Sequence, residues 1–159
     1  MPLIRHGAAA GDSFVTVADG EPLPAGGAIV SLGRFKSERA ALLARNAPLG
    51  VRLASAQPPQ ELGEDVHRLS VIVYEFPVFR DGRPFSWARM LRTRLGYTGE
   101  LRATGHFLYD QIAFLVRTGF DAFETNIPPR DFARALREIT DVYQPSADGR
   151  SAISKLRTG

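Results

Sequence analysis

Cysteine is missing altogether from the 159 residues, and its absence removes a large block of chemistry. Disulfides, cysteine-ligated iron–sulfur clusters, thiolate nucleophiles and cysteine zinc sites are all excluded within the chain. Histidine is scarce as well. His6, His67 and His106 are the whole supply, no two of them at the spacing of metal ligands, so no metal site is expected. Long apolar runs are also absent. With no stretch of about 18 apolar residues there is no candidate membrane span, and no membrane role is expected. The opening MPLIRHGAAAGDS has one arginine but no apolar core of a secretory signal, so the cytoplasm is the expected location. No GxSxG elbow, Walker loop or strand-following GxGxxG occurs, and no cofactor can be named from the residues.

Lysine is nearly missing too. Only Lys36 and Lys155 are present among 20 basic residues, and the other 18 are arginine. A GC-rich coding sequence accounts for that bias better than a nucleic-acid role does. The clustering is more informative than the total. Residues 80–117 hold seven arginines against Asp81, Glu100 and Asp110, a local excess that suits a small anion or an acidic partner. Aromatic residues do not interleave with these arginines as on a single-strand platform, which disfavours nucleic acid.

The chain is long enough to bury one core, and 44% hydrophobic with 23% charged residues is ordinary for a globular domain. Residues 1–27 read as an N-terminal extension rich in Gly, Pro and Ala, with a possible edge strand in SFVTVADG. Residues 28–143 read as the α/β domain and residues 144–159 as a polar tail. Within the domain, strands are expected at 28–32, 50–55, 70–77, 99–105 and 120–124. Helices are expected between them, with Ser37 as an N-cap, prolines 58 and 59 opening another, and Gly119 closing a third. This alternation predicts a single α/β domain with a mostly parallel sheet of about five strands. An open, doubly wound sheet is preferred. Half of a (β/α)8 barrel is the alternative, since a complete barrel needs about 250 residues. A homodimer is the base-rate expectation for the assembly.

Both folds place ligands beyond the carboxyl ends of their strands. That rule selects Arg34, Lys36, Ser55, Gln57, Asp81, Arg83, Ser86, Arg102, Thr104, His106, Glu124 and Asn126. Asp81, His106 and Glu124 are the candidate acids and bases. His106 and Asp110 stand four apart at a helix start, the spacing at which a carboxylate orients a general base. Arg83, Ser86, Arg89, Arg92 and Arg102 are the candidate anion-binding residues. On the helix from about Pro84 or Ser86 to Leu95, Trp87, Ala88, Leu91 and Leu95 form the core face, leaving Arg89 and Arg92 beside Phe85. With Ser86 as N-cap, free backbone N–H groups and Arg83 would converge on one anion. The plain alternatives are that DGRP is a turn and that the arginines are solvated or paired with Glu100 or Asp110.

The run EFPVFRDGRPFSWARMLRTRLGYTGELRATGHFLYDQIAFLVRTGFDAFE, residues 75–124, resembles the signature block of the bacterial family DUF934. The family pattern is FPxFxDGRxFSxAxxLR, then GYxGELRAxG, then DQ and GFDAFE, and all of these pieces occur here in order. The resemblance implies a role in assimilatory sulfite reduction and cysteine biosynthesis, as an oxidoreductase or as a partner of sulfite reductase. Many members carry Cys where this chain has Thr118, in an RCGFD version of RTGFD, so a thiol mechanism is not implied for this chain.

Overall fold

The structure, a computed structural model, describes residues 2–76, 82–105 and 107–141. Its centre is an eight-stranded mixed sheet: β1 (Leu3–Arg5), β2 (Ala8–Ala10), β3 (Phe14–Thr16), β4 (Gly27–Ser31), β5 (Leu49–Leu53), β6 (Val71–Phe76), β7 (Glu100–Gly105) and β8 (Ala122–Glu124). The strand order is β2-β1-β8-β7-β6-β5-β4-β3. Strands β3 to β8 are parallel to one another, whereas β1 is antiparallel to both β2 and β8.

The five strands expected from sequence correspond to β4 through β8. The expectation of about five mostly parallel strands is corrected to eight in a mixed sheet. The added strands are three residues each; β3 is the edge strand that SFVTVADG suggests, whereas β1 and β2, the latter simply Ala-Ala-Ala, are too short to carry the alternating pattern that marks a strand.

The preference for a doubly wound sheet is corrected as well. A doubly wound sheet reverses its strand order at a switch point, but β3 to β8 run in sequence order without a reversal. Right-handed crossovers that always step the same way put their helices on one face, as in a barrel.

Curling follows from chain length alone. Laid flat, eight strands at about 4.8 Å spacing would hold β2 and β3 about 34 Å apart. Only Gly11, Asp12 and Ser13 join those two edges, and that link can span about 14 Å at most. The sheet must therefore roll until its edges approach, which makes it an open, barrel-like curl. The interior confirms the tightness. A Cβ added to Gly50 would lie 3.0 Å from both the Ile29 side chain and the Val71 carbonyl oxygen.

The convex face carries α1 (Leu32–Ser37), α2 (Arg39–Leu43), a 3-10 segment at Pro59–Arg68, α3 (Arg83–Thr93), α4 (Ile112–Thr118) and α5 (Pro129–Asp141). Alternation on β6 sends Ile72, Tyr74 and Phe76 to this face, where they pack with Ala88 and Leu91 of α3. Each such buried side chain contributes about 1.5–3 kcal/mol. Burial also holds the Tyr74 phenol above its ordinary pKa, and its hydroxyl donates to the Gln57 carbonyl at 2.7 Å.

Local signals were partly misread. Ser37 is not an N-cap: it ends α1 and donates back to the Arg34 carbonyl, and α2 starts after Glu38 with no side-chain cap, while Ser31 caps α1, its Oγ accepting the Arg34 N–H at 3.1 Å. The proline-led segment is 3-10 rather than α-helical, and Gly63 breaks it with φ 59°. Gly119 closes α4 as expected. The Arg39 guanidinium bonds to Asp65 and holds its carboxyl below the ordinary carboxylate range, tying α2 to the 3-10 segment.

Candidate functional site

The concave face of the curl is polar where the convex face is apolar. Ile29, Val71 and Val73 fill part of it with Phe14, and the rest is charge. Arg102, in the middle of β7, is fully buried there and meets three carboxylates. Its guanidinium donates to Asp12 at 2.9 Å, to Glu124 at 2.9 Å and to Glu100 at 2.8 Å. Glu100 also accepts from Arg5 at 2.8 Å. Burial pulls the Arg102 pKa down, but its hydrogen bonds to the three carboxylates outweigh it and leave the group above its ordinary value. Asp12 belongs to the short link between β2 and β3, so this cluster clasps the edges of the curl onto β7 and β8.

Above the clasp, at the carboxyl ends of the parallel strands, a cleft of about 330 Å3 opens among Thr16, Ile29, Arg52, Val73, Glu75, Thr104 and Glu124. Register builds it. Glu75, Thr104 and Glu124 are successive partners across β6, β7 and β8, which sets the two carboxylates about 10 Å apart on the backbone. Arg52 reaches Glu75 at 2.7 Å, and both side chains remain partly exposed, at 34% and 45%. Thr104 donates to Glu124 at 3.4 Å, at the long end for a hydroxyl bond. The cleft can hold a small polar molecule between one reachable guanidinium and two carboxylates.

Of the acid and base candidates, Glu124 stands at this mouth. Asp81 and His106 lie outside the described residues; the strands that precede them end at Phe76 and Gly105, which are register partners. Asp110, the expected partner of His106, is exposed in a short 3-10 turn, Tyr109–Gln111.

The five anion-binding candidates do not converge on one site, although Ser86 and Arg89 line a common groove. Arg102 is committed to its carboxylates inside the curl. Arg83 is exposed at the start of α3, and its Nη2 donates to the Ser55 hydroxyl at 3.2 Å. Ser86 is no N-cap, because α3 begins at Arg83 after Gly82 and Pro84 takes the first turn. The convergence of free N–H groups at Ser86 therefore does not form. Arg92 sits at the far end of α3 as a brace. It donates to the carbonyls of Gly119, Tyr97 and Gly99 at 3.0, 2.9 and 2.8 Å and reaches Asp121 at 3.3 Å.

Arg89 faces elsewhere again. A shallow groove of about 530 Å3 between α3 and α4 is lined by Phe85, Ser86, Arg89, Met90, Thr93, Arg94, Phe114 and Thr118. Phe114 is 40% exposed, and Arg117 lies over its ring at 5.5 Å. Arg89, Arg94 and Arg117 have no acidic partner among the described residues. Thr118 is buried beneath, its hydroxyl donating to the Leu115 carbonyl at 2.9 Å.

The remaining strand-end residues serve the scaffold. Arg34 bonds to Glu38 and the Ala18 carbonyl, and Lys36 pairs with Glu61. Ser55 accepts the Trp87 indole N–H at its carbonyl, and Asn126 is exposed. Sequence reasoning missed Arg52, Glu75, Thr16 and Asp12. A signal existed for two of them. Arg52 and Glu75 are single charges inside apolar runs, GVRL and VIVYEF, and alternation sends them to the face opposite the main core. No group of three or more His, Asp or Glu among the described residues is placed to hold a metal ion. No described helix is long and apolar enough to cross a membrane.

These features define an α/β domain with a curled mixed sheet, a polar mouth at the strand ends and a basic groove on its helical face. The chain belongs to DUF934, described as a bacterial protein of unknown function, whose family model matches residues 50–154. No curated protein and no solved structure matches it.

Proposed function

We propose that the protein serves assimilatory sulfite reduction as a partner of sulfite reductase, with the α3–α4 groove as its docking surface. The family resemblance motivates the pathway, and one observation carries the docking: three arginines without acidic partners surround a half-exposed phenylalanine. An aromatic anchor ringed by unpaired cations suits an acidic partner with an apolar centre. A deletion strain is expected to grow on sulfide and cysteine but poorly on sulfate and sulfite. Complementation by a triple variant, Arg89→Glu, Arg94→Glu and Arg117→Glu, is expected to restore growth poorly. Co-purification of sulfite reductase should fall about tenfold or more with the same variant. Normal growth of the deletion strain on sulfite overturns the proposal.

The mouth supports a second reading, an enzyme acting on a small phosphorylated or sulfur-containing acid. Arg52 is the group there for the acid, since its one charged partner, Glu75, is itself exposed enough to be displaced. Glu124, bonded to Thr104, is the candidate proton carrier. Calorimetry with sulfite, phosphate and phosphoserine should show saturable binding that weakens about tenfold in Arg52→Ala, the usual loss when a charge-assisted bond is removed. No binding of any of the three in the millimolar range removes this reading.

A further inference from the structure

The charges at the mouth are matched in a way that a plain acid does not use. Arg52 and Glu75 have only each other as partners among the described residues, with Nε and Oε1 at 2.7 Å. Arg39, Arg92 and Arg102 each spend the guanidinium on two or more hydrogen bonds. Arg52 has its ion contact alone. Its Nη donors and the second oxygen of Glu75 therefore stay available, side by side, in a cleft of about 330 Å3.

The rest of the lining tilts the balance of charge. Glu124 follows Glu75 and Thr104 along the register of β6, β7 and β8, and it brings a second carboxylate to the same cleft. Its Oε2 is held by Arg102 beneath, while Oε1 has only the long bond from Thr104. Thr16 is exposed, and its hydroxyl has no partner among the described residues.

One guanidinium against two carboxylates sorts ligands by charge. A plain acid gains Arg52 but lies beside two groups of its own sign. A plain amine gains the carboxylates and leaves the Arg52 donors unspent. A molecule with both charges on one carbon uses each side of the ion pair and strands neither. We infer that the mouth binds a small α-amino acid as its zwitterion. Its carboxylate takes the Nη donors of Arg52, its ammonium lies between Glu75 and Glu124, and a short polar side chain meets Thr16 and Thr104. The inference rests on the second reading above and sharpens it: the small acid bound there carries an amino group.

The test is calorimetry on the full chain with three related compounds. L-serine carries both charges, glycerate lacks the ammonium and ethanolamine lacks the carboxylate. Serine is expected to saturate with Kd about 1 mM, at least fivefold tighter than either of the others. Glu75→Gln should weaken serine about fivefold yet strengthen glycerate, because Arg52 is then freed of its competing carboxylate. Arg52→Ala should weaken serine and glycerate and leave ethanolamine unchanged. Both variants should melt close to the parent, since a partly exposed pair contributes little to folding. Opposite movements of serine and glycerate in one variant are beyond what a merely structural ion pair can produce.

Glycerate or ethanolamine binding as tightly as serine overturns the inference. So does Glu75→Gln moving serine and glycerate in the same direction. Binding of phosphate or sulfite without serine removes the inference and leaves the second reading standing. Failure of every compound, phosphoserine included, removes both.

Discussion

Arg102→Met is expected to cost about 3–5 kcal/mol, enough to leave the protein largely insoluble or unfolded at 37 °C. The reason is the company the side chain keeps. Its guanidinium is fully buried and donates to Asp12, Glu100 and Glu124, so removing it leaves Asp12 and Glu124 without a cation and Glu100 with Arg5 alone. Urea denaturation measures the loss. Adding Glu100→Gln and Asp12→Asn to Arg102→Met should recover part of the stability at pH 7, since fewer buried charges remain. A near-neutral Arg102→Met would mean that the clasp is not what holds the sheet curled.

Gly105→Ala is the second large effect, on the order of 3 kcal/mol. This glycine ends β7 with φ 104°, and an added Cβ would lie 2.5 Å from the Phe76 carbonyl oxygen. A side chain could swing aside, but Phe76 is the register partner of Gly105 and its backbone is part of the ladder. The strand end must shift, and the mouth shifts with it. Gly96→Ala is the control. That residue also has positive φ, at 66°, but nothing lies within 4 Å of its Cβ position, so about 1 kcal/mol is expected. The difference between the two variants, read from thermal or urea unfolding, isolates the steric cost from the backbone one.

The five central strands were legible because VIVYEF and its neighbours are apolar runs bounded by turns, and the α3 core face was legible because Ala88 and Leu91 recur at helical spacing. The curl was not. It depends on where the first sixteen residues attach; SFVTVADG suggests the edge strand that β3 forms, but LIR and AAA carry too few residues to show a period. Missing β1 and β2 also hid the site. Without β1 and the Asp12 link there was no reason to see an enclosed face, so Arg102 read as an anion ligand when it is held by three carboxylates. Arg92 was misjudged for a related reason. Helical spacing puts it off the core face, yet a long guanidinium can reach carbonyls beyond the helix end, which a helical wheel does not show.

The pairing of Leu3 with Glu124 sets an order of events for the growing chain. Strands β3 to β8 each meet a neighbour soon after synthesis, one crossover at a time. The β1–β2 hairpin has no such neighbour until residue 124 has left the ribosome. Contacts of that sequence separation form slowly, because a long loop must close before they return any energy. Until then β8 has an unpaired edge and Arg102 lacks Asp12. A strand at one end of the sheet's sequence that must wait for β8 makes completion of the sheet a single late step.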